Sequence, residues 1–336
     1  MENPRRVITF GEAMIRLTPP NNERIERTAS FNVTSGGAEL NAAVTIACLG
    51  LPASWVSVLP DTPLGRSVVR NARGHNVDTS RVKLVSETAG RTGVYFLEEG
   101  TDPRPSSIYY DRAGSAIALM EPDLFDWAEI FSSASAFLVS GITPAVGPGA
   151  RAETLTAIQA ANAARVPVFF DPNYRSKLWS EDEARACFVK LAPLVDVMFA
   201  SRGAMSTFFG IEGNDHAEVL TAGCARLGLA ACVFTRKKGK HSRSQRMAAI
   251  GATGAGQVVE TAWKEVEIVD RVGGGDAFAG GFIAGYLEQP DDLAYALNLG
   301  LAASALKHTM IGDFLCATRP EIEAAIALTE GGELQR

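Results

Sequence analysis

An α/β fold built on a mostly parallel sheet is predicted by three observations. Short apolar strand patterns alternate with helix patterns along most of the 336 residues. Polar or glycine residues fall repeatedly where those strands end. Near the end of the chain, a run of three glycines leads directly into an apolar, small-residue helix. Strand–helix alternation is the pattern of a parallel sheet covered by helices.

The first strand is 7–10, Val-Ile-Thr-Phe, ended by Gly11. Residues 16–34 are polar, with Pro19, Pro20 and three asparagines, and are expected to leave the core. Gly36 and Gly37 open a small-residue helix running to Leu49, which Gly50 and Pro52 stop. A strand follows at 54–59, a turn at 61–65 and a helix at 65–73. Residues 91–98 and 106–110 are strand-like and flank a turn at 99–103, which predicts a hairpin. Together with 16–34 this hairpin is expected to form a small β lobe over one end of the sheet.

The alternation resumes with a strand at 136–140, an alanine-rich helix at 150–164 and a strand at 166–170. That strand closes on Asp171-Pro172-Asn173-Tyr174-Arg175. Residues 180–191 form a helix with Ser180 as its N-cap and Glu181 and Asp182 in its first turn. Strands are predicted at 195–199 and 231–235. A basic stretch at 236–246 precedes a hairpin at 247–259 around Gly254. A charged strand at 264–269, a long helix at 293–308 and a last helix at 322–328 complete the order. The tail is expected to fray.

Composition narrows the function. Hydrophobic residues are 46% and charged residues 21%, as in a soluble globular protein. A net charge of −6 argues against general nucleic-acid binding. Five scattered cysteines include no Cys-x-x-Cys pair and are expected to be free thiols in a reducing compartment. Four dispersed histidines show no metal-ligand spacing, so no protein-built metal site is expected. Arg5 and Arg6 run straight into a strand, and no apolar run is long enough to cross a bilayer, so a cytoplasmic protein without a membrane partner is expected. There is no Gly-x-x-x-x-Gly-Lys-[Ser/Thr] loop. Gly251-Ala252-Thr253-Gly254-Ala255-Gly256 has no helix behind it, which weakens a dinucleotide-binding assignment.

The stretch from Val269 to Phe282 carries the chemistry. Glycines before a helix leave backbone N–H groups bare, and with the helix dipole these make an anion site. An aspartate beside such a site suits a base next to a phosphoryl group in transfer. On its own, the stretch fits an ordinary glycine turn with Asp276 as N-cap equally well. The other strand ends favour an active site: Glu12, Asp61, Gly141, Asp171 with Asn173 and Arg175, and Ser201 all fall at carboxyl ends, where open α/β sheets bind ligands.

Gly36-Gly37-Ala38-Glu39-Leu40-Asn41 and Asp270-Arg271-Val272-Gly273-Gly274-Gly275-Asp276 resemble the two signatures of the ribokinase-like (PfkB) carbohydrate kinases. The resemblance spans nearly the whole chain. Within that family the wording is most similar to 2-keto-3-deoxygluconate kinases, through 11–17, 109–112, 171–175, 307–309 and 312–314. It implies a three-layer fold with a mostly parallel central sheet. It implies one domain at 1–330, a β lid formed by about 12–35 and 90–112, and a frayed tail at 331–336. The implied reaction is ATP-dependent phosphorylation of a sugar-acid hydroxyl, with magnesium. 2-Keto-3-deoxygluconate, converted to its 6-phosphate, is the first choice. A fructokinase or nucleoside kinase is the alternative, and a non-catalytic sensor on the same scaffold is a third.

By the same resemblance Asp276 is the catalytic base, and Gly273, Gly274 and Gly275 form the anion hole. Gly37, Asn41, Tyr95, Tyr110, Arg112, Arg175 and Asp313 are expected at the substrate. Thr235, Gly239, Ala302 and Ala305 are expected at the nucleotide. Arginine suits an acidic sugar because its fork matches a carboxylate. Arg112 and Arg175 could equally serve structure, and Arg16 fits either an acidic substrate or a lid surface. The basic run at 236–240 fits a solvated loop. Where the family carries Asn-x-x-Glu, this chain has Ser201-Arg202-Gly203-Ala204, which leaves magnesium to water and nucleotide phosphates. A dimer through the lid is expected from its sheet edges.

Overall fold

The computed structural model describes residues 5–239 and 244–327. The tail expected at 331–336 and Leu328 of the last predicted helix lie outside the described residues, as does Lys240 of the basic run.

In chain order the first half contains β1 (Arg6–Phe10), β2 (Met14–Thr18), β3 (Asn32–Gly36), α1 (Ala38–Cys48), β4 (Ala53–Pro60), α2 (Pro63–Gly74) and β5 (Val82–Val85). It continues with β6 (Val94–Glu98), β7 (Ser107–Asp111), α3 (Trp127–Phe131), β8 (Ala134–Ser140), α4 (Thr143–Val146), α5 (Pro148–Ala163) and β9 (Val168–Asp171). The second half adds α6 (Glu181–Leu191), β10 (Val197–Phe199), α7 (Arg202–Phe209), α8 (His216–Leu227), β11 (Ala231–Lys238) and β12 (Ser244–Thr253). It ends with β13 (Val258–Glu260), β14 (Lys264–Glu267), α9 (Gly274–Glu288), α10 (Leu293–His308) and α11 (Arg319–Ala327).

The main sheet runs β13-β12-β11-β10-β9-β8-β1-β4-β5, with β14 also paired to β12. From β5 to β11 every pairing is parallel; β12, β13 and β14 turn one end antiparallel. Strand alternation divides the core into two apolar layers. Ile8, Phe10, Phe137, Val139, Val168 and Phe170 face α3 and α5–α8. Val7, Trp55, Leu138 and Phe169 face α1, α2, α9 and α10. The result is the predicted three-layer α/β/α arrangement.

A second, four-stranded sheet has the order β3-β2-β6-β7. The hairpin β6–β7 has the expected place, with Tyr95 opposite Tyr110. Its partner β2 runs parallel to β6, with Arg16 beside Tyr95. The expected dimer would use the outer edges of β3 and β7, which no described strand of the chain covers.

Helices α7 and α8 lie where the sequence pattern predicts none, as do the short α3 and α4. The signals of α7 and α8 are local: Ser201 and Asp215 are N-caps, and Gly210 and Gly228 end the helices in left-handed conformation at φ 62° and 70°. The basic residues Arg236, Lys237 and Lys238 continue β11 rather than starting a loop. No described helix is long and apolar enough to cross a membrane.

α9 is the central helix. Small residues let α1 and α10 approach it closely. A Cβ on Gly281 would lie 2.9 Å from both Gly300 Cα and Leu299 O. In an open helix, Gly→Ala gains about 1 kcal/mol. Here Gly281→Ala is expected to destabilise by about 1–3 kcal/mol, the usual effect of overpacking. A thermal melt with unchanged or raised Tm would contradict this account of the α9–α10 contact.

Candidate active site

The start of α9 sets the geometry. Gly273 occupies the N-cap position at φ 83°, and no side chain caps the helix. A Cβ there would fall 2.0 Å from Asp313 O; on Gly274 it would fall 2.0 Å from His308 Cε1. The turn is therefore seated against 312–313 and the end of α10. Asp276 is not the N-cap. Its Oδ2 accepts a 2.6 Å hydrogen bond from Asn41 Nδ2, while Asn41 Oδ1 accepts from Gly37 N at 3.2 Å. The two glycine-rich segments, 235 residues apart for this bond, are thus joined through one amide.

Two cavities meet at this point. One, of about 360 Å³, is lined by Gly37, Asn41, Tyr95, Tyr110, Arg112, Arg175, Asp276 and Asp313, among others. The other, of about 470 Å³, is lined by Ser201, Ala204, Phe208, Phe234, Thr235 and Phe278, among others. Asp171, Asn173 and Gly275 line both. Asp276 therefore faces one compartment while its neighbour Gly275 opens onto the second.

Electrostatics marks the junction. Burial pushes Asp276 up to about 6, outweighing the Asn41 hydrogen bond and the positive charge of Arg175. Burial, and then the charge of Asp276, push Asp171 up to about 7. Burial also raises Glu39, which fixes the start of α1 by accepting from Ser140 N at 2.9 Å and from the Ser140 and Thr143 hydroxyls at 2.7 Å.

The expected substrate residues all line the first cavity. Arg112 pairs with buried Glu12 and stands 5.6 Å from the Tyr110 ring centre. Asp111 pairs with Arg91 instead. Arg175 is exposed and makes no ion pair among the described residues. Tyr95 and Asp313 are committed to each other: the Tyr95 hydroxyl donates to Asp313 Oδ2 at 2.6 Å.

Arg16 departs from both expectations. It is 1% exposed, neither a lid surface residue nor open to a substrate. Its Nη2 lies 2.6 Å from Asp270 Oδ2 and 3.5 Å from Glu99 Oε1, and its Nη1 2.9 Å from Asp313 Oδ1. Burial opposes its charge, but Asp270 and Asp313 more than restore it.

The nucleotide assignments divide. Thr235 lines the second cavity. Gly239 sits at the end of the β11 hairpin and does not line it. Ala302 is fully buried against Leu49, Ala284 and Leu299, because α10 turns that face to the core, and it lines neither cavity. Ala305 is half-buried and packs on the apolar layer between α10 and the sheet. Asp171, Asn173, Phe234 and Phe278 also line the cavities, beyond the expected ligand residues. Only Asp171 and Asn173 carried a signal, as polar residues closing a strand.

Ser201 caps α7, its hydroxyl accepting from Ala204 N at 3.2 Å, and with Gly203 and Ala204 it lines the cavity that Asp171 and Glu181 also line. No cluster of three or more His, Cys, Asp or Glu suited to a metal exists among the described residues. That donor set fits a divalent ion only as one arriving with phosphates and water, near the oxygens of Asp171 and Asn173.

A model of the pfkB family carbohydrate kinases matches residues 4–318. The chain belongs to this family. It is 37% identical to a 2-dehydro-3-deoxygalactonokinase of Haloferax volcanii, over 97% of this chain and 98% of that one. It is 30% identical to a 2-dehydro-3-deoxygluconokinase of Thermoproteus tenax, over 91% and 89%. The crystal structure of a 2-dehydro-3-deoxygluconokinase from Thermotoga maritima superposes with a TM-score of 0.92 at 36% identity, covering 97% and 99% of the chains. As a PfkB carbohydrate kinase the protein is a phosphotransferase with an alcohol group as acceptor.

The raised Asp276 has a thermodynamic consequence. A carboxyl shifted from its usual 3.8 to about 6 binds its proton more tightly folded than unfolded. Its contribution to stability is therefore greatest below pH 3.8 and falls as pH rises through 6. Asp276→Asn removes this penalty. Two units correspond to about 3 kcal/mol; partial exposure reduces the expected gain to about 1–2 kcal/mol. Denaturation at pH 8 should show the gain, and it should vanish near pH 4. An Asn variant less stable than the parent at pH 8 would contradict this burial.

Proposed function

We propose that this kinase phosphorylates a hydroxyl of a 2-keto-3-deoxy sugar acid, with ATP as donor and 2-keto-3-deoxygluconate, giving its 6-phosphate, as the first choice. The carrying observation is that the 360 Å³ cavity is walled by Arg175, which makes no ion pair among the described residues, together with Arg112, Tyr110 and Asp276. A carboxylate at that wall gains a bidentate partner. The relatives named for 2-dehydro-3-deoxygalactonate and 2-dehydro-3-deoxygluconate kinases support the same class and leave the epimer between them.

In this reading Asp276 takes the proton from the acceptor hydroxyl, and the oxygen attacks the γ-phosphorus in line. The N–H groups of Gly273, Gly274 and Gly275 and the start of α9 hold the transferred charge. Asn41 keeps the base aimed. Magnesium bound with the nucleotide would screen phosphate charge. The second sheet, as a lid, excludes water from the acceptor cavity.

The pairing of Arg112 with Glu12 favours a second reading, a neutral sugar such as fructose, because it cancels one of the two cations. Arg175 separates them. Arg175→Ala should raise KM for acidic acceptors about 10–100-fold, the effect of losing a hydrogen-bonded charge pair, and leave neutral acceptors within about 3-fold. Equal losses on both would favour the neutral sugar.

The activity itself is tested by ADP release across 2-keto-3-deoxy acids, hexoses and nucleosides. Ligand-induced thermal shifts without turnover would favour a sensor. With the best acceptor, Asp276→Asn is expected to lower kcat by about 10²–10⁴-fold. In the parent, kcat/KM should climb with pH to a limb near 6, where the base ionises. A near-parental rate in the Asn variant, or a flat profile from pH 5 to 8, would remove Asp276 from this role.

A further inference from the structure

Arg16 and Asp270 lie behind the site, and nothing in phosphoryl transfer calls for them directly, whereas Asp313, the other partner of Arg16, lines the acceptor cavity. Arg16 stands on β2 beside Tyr95 of β6. Its Nε donates to Thr18 Oγ1 at 2.8 Å, which fixes the plane of the guanidinium. The two terminal nitrogens then reach carboxylates on two different segments, Asp270 before the glycine turn and Asp313 after α10.

Asp270 in turn clamps both sides of the turn. Its Oδ1 accepts from Val272 N at 3.0 Å and its Oδ2 from Gly312 N at 3.0 Å, and its backbone O accepts from Lys307 Nζ at 3.2 Å. Gly273 lies against the Asp313 carbonyl. Asp313 Oδ2 is held by the Tyr95 hydroxyl, and Tyr95 lines the acceptor cavity. One unbroken chain of contacts runs from the acceptor wall through Tyr95, Asp313 and Arg16 to Asp270 and the glycine turn.

We infer that Arg16 is a positioning residue for the anion hole: it ties the acceptor-facing sheet to the glycine turn and sets where the N–H groups of Gly273–Gly275 point. It does not read the acceptor's charge, since both its terminal nitrogens are occupied and it is buried. A lysine in its place keeps the charge but loses the fork, so it holds one carboxylate and releases the other. Displacing an oriented group by about 1 Å lowers rates about 100-fold. The effect belongs to the transition state, where the turn meets developing charge, and not to acceptor binding.

The inference rests on the assignment of Gly273–Gly275 as the anion hole, but not on which acceptor is phosphorylated. Arg16→Lys is compared with the parent using the best acceptor found and one neutral acceptor. The expected result is a kcat at least tenfold lower on both, with KM for each acceptor within threefold. Inhibition by ADP with aluminium fluoride, a mimic of the transferring phosphoryl group, should weaken by a similar factor while inhibition by ADP alone is unchanged. A merely structural loss would lower the Tm and the active fraction, and would leave those inhibition constants where they were. Asp270→Asn, which keeps the shape and one acceptor, should give the same signature and serves if the lysine variant does not fold. Parental kcat in both variants, unchanged inhibition by the mimic, or a loss confined to KM for acidic acceptors would each overturn the inference. The Asp276→Asn result, taken beside it, distinguishes a misassigned site from a misassigned Arg16.

Discussion

A guanidinium buried between two carboxylates joins the parts of this molecule that have to agree in position. Moving an arginine and two aspartates out of water carries a desolvation penalty of several kcal/mol per ion, recovered only when geometry is good and the remaining donors and acceptors are filled. Here they are filled. Arg16 is bound by Thr18, Asp270 and Asp313, and those acids also accept from Val272, Gly312 and Tyr95. The consequence is mutual dependence. The second sheet, the turn before α9 and the loop after α10 cannot shift separately without leaving a charge stranded.

The carboxylates of the two cavities are treated in the opposite way. Asp276 has an amide and a distant arginine in place of a paired cation, and Asp171 has the backbone N–H of Asn173 at 2.9 Å. Burial without pairing makes both reluctant to ionise; the charge of Asp276 adds to the effect on Asp171, and those of Asp313 and Glu39 to the effect on Asp276. A weakly compensated carboxylate is a stronger base than a salt-bridged one. The fold thus compensates its buried cation and leaves the carboxylate proposed as the base uncompensated, at lower stability at neutral pH.

Much of this was legible in the sequence because the signals are local. Strand–helix alternation, Ser180 as a cap, the β6–β7 hairpin and the glycine run before α9 each need only a dozen residues to recognise. Ribokinase-like wording at 36–41 and 270–276 carried the family, and the match over 4–318 agrees. What was not legible depends on partners far away in the chain. Arg16 meets Asp313 across 297 residues, and no pattern around 16 announces a buried cation. The burial of Ala302 is illegible for a related reason. α10 is apolar or small on nearly every side, so its sequence does not say which face looks at a ligand and which is sealed against Leu49 and Ala284.

The three consecutive glycines illustrate how differently adjacent positions are constrained. Gly273 is required by its backbone, which lies in the left-handed region with a carbonyl in the way of any Cβ. Gly274 is required by a neighbour: its helical backbone tolerates a side chain, but the buried His308 ring occupies that space. Gly275 meets neither restriction, since a Cβ there would touch nothing within 4 Å. Packing therefore gives no reason for its being glycine. The reason lies in the empty space itself, because Gly275 lines both cavities beside Asp276, and a side chain would stand where the proposed transfer brings acceptor and phosphoryl group together. At the first two positions glycine builds the fold; at the third it keeps the passage between the two cavities open.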